Sequence, residues 1–401
     1  MQQCSINRSR ISIDPFRRVS LRSYYSTFIP GLIQPVKEAL GQTLPDSTIT
    51  LALDGLVEFE SNAKLEIIQN LPFVTNSFYI IKKFARRSLP SISDMATNIV
   101  EDRSLGLKLP MPHTHRNTFR VITSLANQLV PIDNSLMQIL EERIGNKTGL
   151  KPNRAKPDFE FWLTQRSEGY GYFAFRLSHH KAYDKSLQKG ELRPELANIL
   201  CRLSEPLPSE LFLDPFCGSG AIPIQRARWF PKGLVIASDI DEQKVSALKV
   251  RIKDLGLTKR VVVRRDDALN LTRYQPESIH KIVTDPPWGH FIQMSSPIGD
   301  FYARMLGEFD RILRPNGRSV IVTGETLALD NSLDSISSRL IVMQKFNILL
   351  SGKKACVYVL LKKSDEPDTR NISQFESQKA PVVQSASIIR QSYLMAGTAT
   401  Q

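Results

Sequence analysis

A doubly wound, mostly parallel α/β sheet in the C-terminal half, preceded by a smaller α+β region, is the fold this sequence predicts. Three observations carry the prediction. From about Leu211 onward, short apolar runs recur: LFLD, LVIASD, VVVRRD, KIVTD and RSVIVTG. Several end in an acid, and helix-period stretches separate some of them. Buried strands alternating with helices imply a parallel sheet wound on both faces. Upstream, an amphipathic helix is followed by two alternating strands, the pattern of a small α+β unit.

The elements follow in chain order. The run from Pro30 to Leu40 has helical spacing, and TITLALDGLVEFE reads as two strands around a turn at Asp54-Gly55. NTFRVITS is a strand. NSLMQILEERIGNKTG is a helix with Leu136, Ile139, Leu140 and Ile144 on one face and Gly149 at its end. KPDFEFWLTQ and YGYFAFRLS are strands separated by Glu168-Gly169. In the C-terminal half, DEQKVSALKVRIKDLG places Val245, Leu248, Ile252 and Leu255 on one face and stops at Gly256. SRLIVMQKFNILL and KKACVYVLLKK, joined at Ser351-Gly352, read as an antiparallel hairpin at the sheet's end. Beyond Lys363 the chain turns to Ser, Gln, Asp and Thr without a period, and residues 364–401 are expected to be a disordered tail.

Composition narrows the function. The 401 residues carry a formal charge of +13, which favours polyanionic partners. No run approaches about 20 uninterrupted apolar residues, so no membrane span is expected. Cys4, Cys201, Cys217 and Cys356 have no CxxC spacing, so neither a zinc site nor a disulfide framework is expected. Their scatter fits a reducing compartment, and a cytoplasmic location is expected. Residues 1–23 hold Arg8, Arg10, Arg17, Arg18 and Arg22 against Asp14. A transit peptide could share this composition, but a flexible basic terminus is the preferred reading.

The first strand of the parallel set runs into Asp214-Pro215-Phe216-Cys217-Gly218-Ser219-Gly220, then a helix with Pro223 in its first turn. Glycines at this edge let a ligand approach the backbone. A dinucleotide loop would need a third glycine. An acid at the mouth suits a cationic ligand better than a pyrophosphate. S-adenosylmethionine (AdoMet) carries an ammonium and a sulfonium, so Asp214 can engage its amino-acid end, directly or through water. The second strand ends in Asp239, placed to accept from ribose hydroxyls. The third ends in Asp266-Asp267-Ala268, where a carboxylate and a backbone N–H can address adenine.

The fourth strand ends in Asp285-Pro286-Pro287-Trp288-Gly289. Two prolines make a rigid bend. The Asp285 carboxylate and the Pro286 carbonyl can then both accept from an exocyclic NH2. Trp288 offers a face for base stacking, worth roughly 1–3 kcal/mol. The base must be flipped out or lie in a loop.

These two motifs resemble the class I AdoMet-dependent amino-methyltransferases with an (N/D)PP(Y/F/W) tetrad. The longer string KGELRPELANILCRLSEPLPSELFLDPFCGSGAIPIQRA is similar to the THUMP-domain RNA methyltransferases, which act on guanine N2 in tRNA. The resemblance covers residues 110–363 and is strongest over 189–290. It implies a Rossmann-like class I methyltransferase sheet, at 181–363. It implies a ferredoxin-like element at 24–64 and a THUMP-like RNA-binding domain at 65–180. It makes Asp214, Phe216, Cys217, Gly218, Gly220, Asp239, Asp267 and Ala268 the AdoMet site, with no metal. Asp285, Pro286, Pro287 and Trp288 become the catalytic clamp, in which tryptophan is less usual than tyrosine or phenylalanine. Lys189 to Cys201 become a helix packed before the first strand, with Arg193-Pro194 at its start.

The resemblance also implies tRNA as substrate and the N-terminal half as the RNA handle. Lys82, Lys83, Arg86 and Arg87 around Phe84, and Lys147, Lys151, Arg154 and Lys156, are candidate phosphate contacts. His113, His115, Arg116 and His179-His180-Lys181 are weaker ones. A monomer is expected, and a small activating subunit is compatible with these residues without being indicated by them. The tetrad alone also allows adenine N6 or cytosine N4 as the target, in RNA or DNA. A non-catalytic RNA-binding protein that kept the fold is the remaining alternative.

Overall fold

The computed structural model describes residues 21–84, 90–107, 109–110, 117–178, 191–289, 297–335, 339–350 and 352–364. In the N-terminal half the elements are β1 (Arg22–Thr27), α1 (Ile33–Thr43), β2 (Thr48–Leu53), β3 (Leu56–Ser61), α2 (Leu65–Gln69) and β4 (Asn76–Phe84). Then come α3 (Ile92–Glu101), β5 (Thr118–Leu125), β6 (Gln128–Leu129), α4 (Asn134–Thr148), β7 (Lys151–Pro152), β8 (Phe159–Gln165) and β9 (Gly171–Arg176). Nine strands form one sheet in the order β2-β3-β1-β4-β9-β8-β5-β6, with β7 on β5. The first six elements give a βαββαβ unit, the ferredoxin-like arrangement. Its last strand, β4, also pairs with β9, so both N-terminal units share the sheet. The expected division at residue 64 falls between β3 and β4 of that sheet.

Local signals explain these elements. Asp133 caps α4 by accepting from the Ser135 and Leu136 N–H groups, and Gly149 ends it in the left-handed region. Leu140 and Ile144 of α4 are buried, but Ile139 is 49% exposed. The apolar face is therefore narrower than its spacing suggested. Ser91 and Asp94 form a capping box on α3.

The C-terminal half comprises α5 (Pro194–Leu203), β10 (Leu211–Asp214), α6 (Ala221–Trp229), β11 (Leu234–Asp239), α7 (Glu242–Asp254), β12 (Val261–Arg265) and β13 (Ile279–Thr284). It continues with α8 (Ile298–Ile312), β14 (Leu313–Thr323), α9 (Thr326–Ser335), β15 (Leu340–Leu350) and β16 (Lys353–Lys362). Seven strands run β12-β11-β10-β13-β14-β16-β15. The first five are parallel, and β16 is antiparallel to both neighbours. The hairpin expected at the sheet's end is present, with its second strand inserted next to β14 and its first outermost. Phe212, Leu213, Val235, Ala237, Ile282 and Val283 are buried, which is why these runs read as continuously apolar. On α7, Val245, Leu248 and Ile252 are buried, Asp241 caps the start and Gly256 follows at positive φ.

The helix expected from Lys189 to Cys201 runs instead from Pro194 to Leu203, with proline at its first turn where no N–H is needed. Lys189 and Gly190 lie outside the described residues. Helix α5 is buried along most of its length and joins the two halves. The Arg202 guanidinium lies over the rings of Phe73, at 4.9 Å, and Phe230, at 5.4 Å, and donates to Gln42. Thr75 donates to Glu195.

The loop before α1 also meets β15. Gly31 has φ +93° and donates its N–H to Asp54 Oδ1 at 2.7 Å. A Cβ there would overlap the carbonyl oxygen of Asn347. Gly31→Ala is therefore expected to destabilise the protein by about 2 kcal/mol or more, from left-handed strain plus the clash. Urea unfolding checks this, and a midpoint equal to that of the native protein contradicts the close approach.

Candidate active site

The predicted site residues lie at the carboxyl ends of β10, β11, β12 and β13. Strand β10 is flanked by β11 on one side and β13 on the other, so chain order reverses there. Open α/β sheets bind ligands in the crevice at such a point.

The loop after β10 is held by backbone and carboxylate contacts. The Cys217 N–H donates to the Ser238 carbonyl at 2.9 Å, and the Gly218 N–H to Asp239 Oδ2 at 3.0 Å. Asp239 Oδ1 accepts the Asp241 N–H at 3.0 Å. Gly220, at φ +92°, starts α6, and a Cβ there would run into Leu248 of α7. This position requires glycine on both counts. Phe216 is half-buried, its ring 5.8 Å from that of Phe301.

Asp214 is 1% exposed. Its Oδ1 accepts from Thr284 Oγ1 at 2.8 Å and from the Phe216 N–H at 3.3 Å. Asp214 thus lies beneath the loop, with both of these donors coming from the protein. Burial pushes its pKa up to about 8 despite those two donors, and the nearby Asp285 and Asp239 add to the rise. The Cys217 thiol is also buried. Burial, then Asp214 and Asp239, raise its pKa, so it is a neutral thiol and no nucleophile.

After β12, Asp266 is already engaged, accepting from Tyr274 Oη at 2.9 Å and Arg273 Nε at 3.0 Å. Asp267 is half-buried and accepts the Leu269 N–H at 2.9 Å, while Ala268 is buried. Of the two acids, Asp267 is the one with less protein contact.

The bend after β13 is anchored twice. The Trp288 indole N–H donates to Asp285 Oδ1 at 3.0 Å. Tyr302 of α8 donates to the Pro287 carbonyl at 3.2 Å and meets Thr323 Oγ1 at 2.7 Å. Thr323 in turn accepts the Glu325 N–H. Pro286 is buried, and no donor among the described residues reaches its carbonyl. Gly324, next after β14, leaves room for the indole: a Cβ there would come within 2.6 Å of Trp288 Cε3. Burial raises Asp285 to about 7, and the indole N–H opposes that rise.

Thr284, Tyr302, Thr323 and Gly324 were not singled out by sequence. Thr284 and Gly324 sat in view at the ends of KIVT and RSVIVTG, but Tyr302 is one aromatic among several on an amphipathic helix. The candidate phosphate contacts fare unevenly. Lys82 is paired with Asp102, Lys83 with Glu58 and Arg154 with Glu141, and Phe84 is buried. Lys147, Lys151 and Lys156 are exposed. Arg86, Arg87, His113, His115, Arg116, His179, His180 and Lys181 lie outside the described residues, as do residues 1–20 and the tail from 365. Among the described residues no His/Cys/Asp/Glu group could hold a metal, and no helix is long and apolar enough to cross a membrane.

Residues 181–354 match the family model described as RMKL-like, methyltransferase domain. A tRNA (guanine(6)-N2)-methyltransferase of Thermus thermophilus is 30% identical over 154 residues, which are 38% of this chain and 45% of that protein. The Homo sapiens tRNA (guanine(6)-N(2))-methyltransferase THUMP3 is 30% identical over 184 residues, 43% of this chain and 36% of that protein. The chain thus spans less than half the length of these two relatives. The solved structure of TrmN from Thermus thermophilus superposes with a TM-score of 0.68 at 22% identity, covering 85% of this chain and 99% of that one. That likeness shows a shared fold across both halves. Residues 181–354 are thus similar to the RMKL-like methyltransferase domain, and their sheet has the class I methyltransferase fold.

Proposed function

We propose that this protein transfers a methyl group from AdoMet to the exocyclic N2 amino group of a guanosine in tRNA. The observation that carries the reading is the meeting, at the sheet's reversal point, of an acid-glycine loop and a doubly anchored Asp-Pro-Pro-Trp bend. The names of the relatives supply the base and the RNA class.

The residues fit AdoMet. Each Asp239 oxygen accepts one backbone N–H and keeps further lone pairs for a ribose diol, since a carboxylate offers about four acceptor sites. Asp267 and the Ala268 N–H suit adenine. Gly218 and Gly220 leave the backbone bare. Asp285 and Asp239 disfavour the charge of Asp214, and a cationic ligand relieves this. Bound AdoMet supplies a methyl group activated by its sulfonium.

On the substrate side, Asp285 and the Pro286 carbonyl accept the two amine hydrogens and aim the nitrogen lone pair. Trp288 carries the base on its face. With Oδ1 taken by the indole, Asp285 Oδ2 is the oxygen turned to the amine. The nitrogen gains a methyl group and sheds one proton, which Asp285 can hold on its way to solvent. The gain comes from positioning more than from covalent chemistry. The N-terminal sheet is the RNA handle, with a ferredoxin-like element and a THUMP-like domain. We take the protein to act as a cytoplasmic monomer, and the buried free cysteines Cys201, Cys217 and Cys356 suit a reducing compartment.

The test is methyl transfer from labelled AdoMet to unmodified total tRNA, with nucleosides identified by mass spectrometry. N2-methylguanosine is expected. Another methylated base moves the target, and no product from an AdoMet-binding protein removes the catalytic reading. Asp285→Ala should lower the rate by roughly 100-fold or more while AdoMet affinity changes little. Asp239→Ala should instead weaken AdoMet binding, and an unchanged Kd takes that role away.

The pH dependence has a definite sign. Asp285 works ionised, and burial holds its pKa near 7. Activity at limiting AdoMet should therefore rise with pH through about 7 and level off above it. The indole N–H favours the ionised form, so Trp288→Phe should move that limb to higher pH. A limb that stays in place separates Trp288 from the titrating group.

A further inference from the structure

A cleft of about 400 Å3 opens beside the bend, lined by Trp288, Gly324, Lys353 and Lys354. These residues come from three separate stretches of chain. Topology explains the meeting. Strand β16 runs antiparallel to β14, with Cys356 opposite Thr323. Its start, and the turn from β15, therefore overhang the carboxyl edge where β13 and β14 end. Lys353 and Lys354 are exposed on that overhang, paired in register with Leu350 and Leu349. Three other lysines of this sheet face carboxylates: Lys281 faces Glu210, Lys345 faces Asp330 and Lys362 faces Glu277. Among the described residues no carboxylate pairs with Lys354. The lining thus combines an aromatic face, a glycine that keeps the wall low and two ammonium groups. An ammonium beside a stacking face is the chemistry of a nucleotide, base on the ring and phosphodiester on the cation.

We propose that this cleft is a phosphodiester subsite, in which Lys354, with Lys353 beside it, holds the backbone phosphate adjoining the base that stacks on Trp288. The proposal rests on the reading of RNA as substrate and adds to it where the strand is gripped next to the reacting base. The phosphate contact fixes the nucleotide's backbone after the base has left its stack, so the amine reaches Asp285 in one orientation.

The test uses the full chain, with total tRNA as the probe. Affinity is measured across salt concentrations for the native protein, Lys353→Ala/Lys354→Ala, Lys353→Arg/Lys354→Arg, and a control pair, Lys249→Ala/Lys253→Ala, on the exposed side of α7. The cleft alanines should weaken tRNA binding about 10-fold near 0.1 M salt and make the log–log salt slope shallower by about one to two. AdoMet affinity and melting temperature should not move. The arginine pair should retain most of the affinity, because it keeps the charge. Unchanged affinity and slope in the cleft alanines overturn the proposal. So does an equal loss in the control pair, which would reveal a diffuse basic surface. Native protein that neither binds nor methylates tRNA overturns the RNA reading itself, and the subsite with it. Native binding that the cleft alanines leave intact overturns the subsite alone.

Discussion

The hydrogen bond from Thr284 to Asp214 joins the ends of β13 and β10, the two strands between which the sheet reverses its order. One partner begins the glycine loop and the other immediately precedes the Asp-Pro-Pro-Trp bend. The two halves of the site are therefore held to each other by a buried contact, inside one sheet. A carboxylate 1% exposed is costly to leave without donors, so this contact also secures the fold. Asp214 does its work from below the loop: it accepts from Phe216 and sets the loop's first turn. Asp239 does the same job from the next strand, with one oxygen on Gly218 and the other on Asp241. The acids at these two strand ends thus hold the loop in place.

The bend itself is rigid for reasons beyond its prolines. Proline fixes φ and removes a donor, but it does not aim the carbonyl that follows. Tyr302 aims the Pro287 carbonyl from α8, and Thr323 holds Tyr302 from β14. At the other end the indole N–H fixes Asp285. A phenylalanine at this place has no donor, and a tyrosine carries its hydroxyl at the far end of the ring. Tryptophan thus supplies stacking area and a carboxylate donor from one side chain. Gly324 is the complement that makes the larger ring fit.

Much of this was legible in the sequence because it is local. LFLD through DPFCGSG, LVIASD and KIVTDPPW each carry strand, turn and acid within a few residues, and the sheet places successive strand ends side by side. Gly149, Gly256 and the turn at Asp54-Gly55 were visible for the same reason: a turn is specified by its own residues. What escaped was set by tertiary placement. Tyr302 is separated from Pro287 by 15 residues and Thr323 from Tyr302 by 21. Nothing in either segment marks it as a partner. Lys82, Lys83 and Arg154 looked like free cations because their carboxylates come from other elements. The face of α4 was overdrawn at Ile139 because helical spacing tells which residues share a side, not how much of that side the sheet covers.

The hairpin of β15 and β16 has a place in both halves of this organisation. At Asn347 it lies against Gly31, closely enough that no side chain fits between them. Phe346, Ile348 and Leu350 pack into the core shared with the N-terminal half. At its turn the same hairpin carries Lys353 and Lys354 to the edge of the cleft beside Trp288. The strand that meets Gly31 is covalently continuous with the turn that borders the cleft. The antiparallel insertion of β16 is what makes this possible. A parallel strand in that place would begin at the opposite edge of the sheet, and its preceding turn would lie far from the bend.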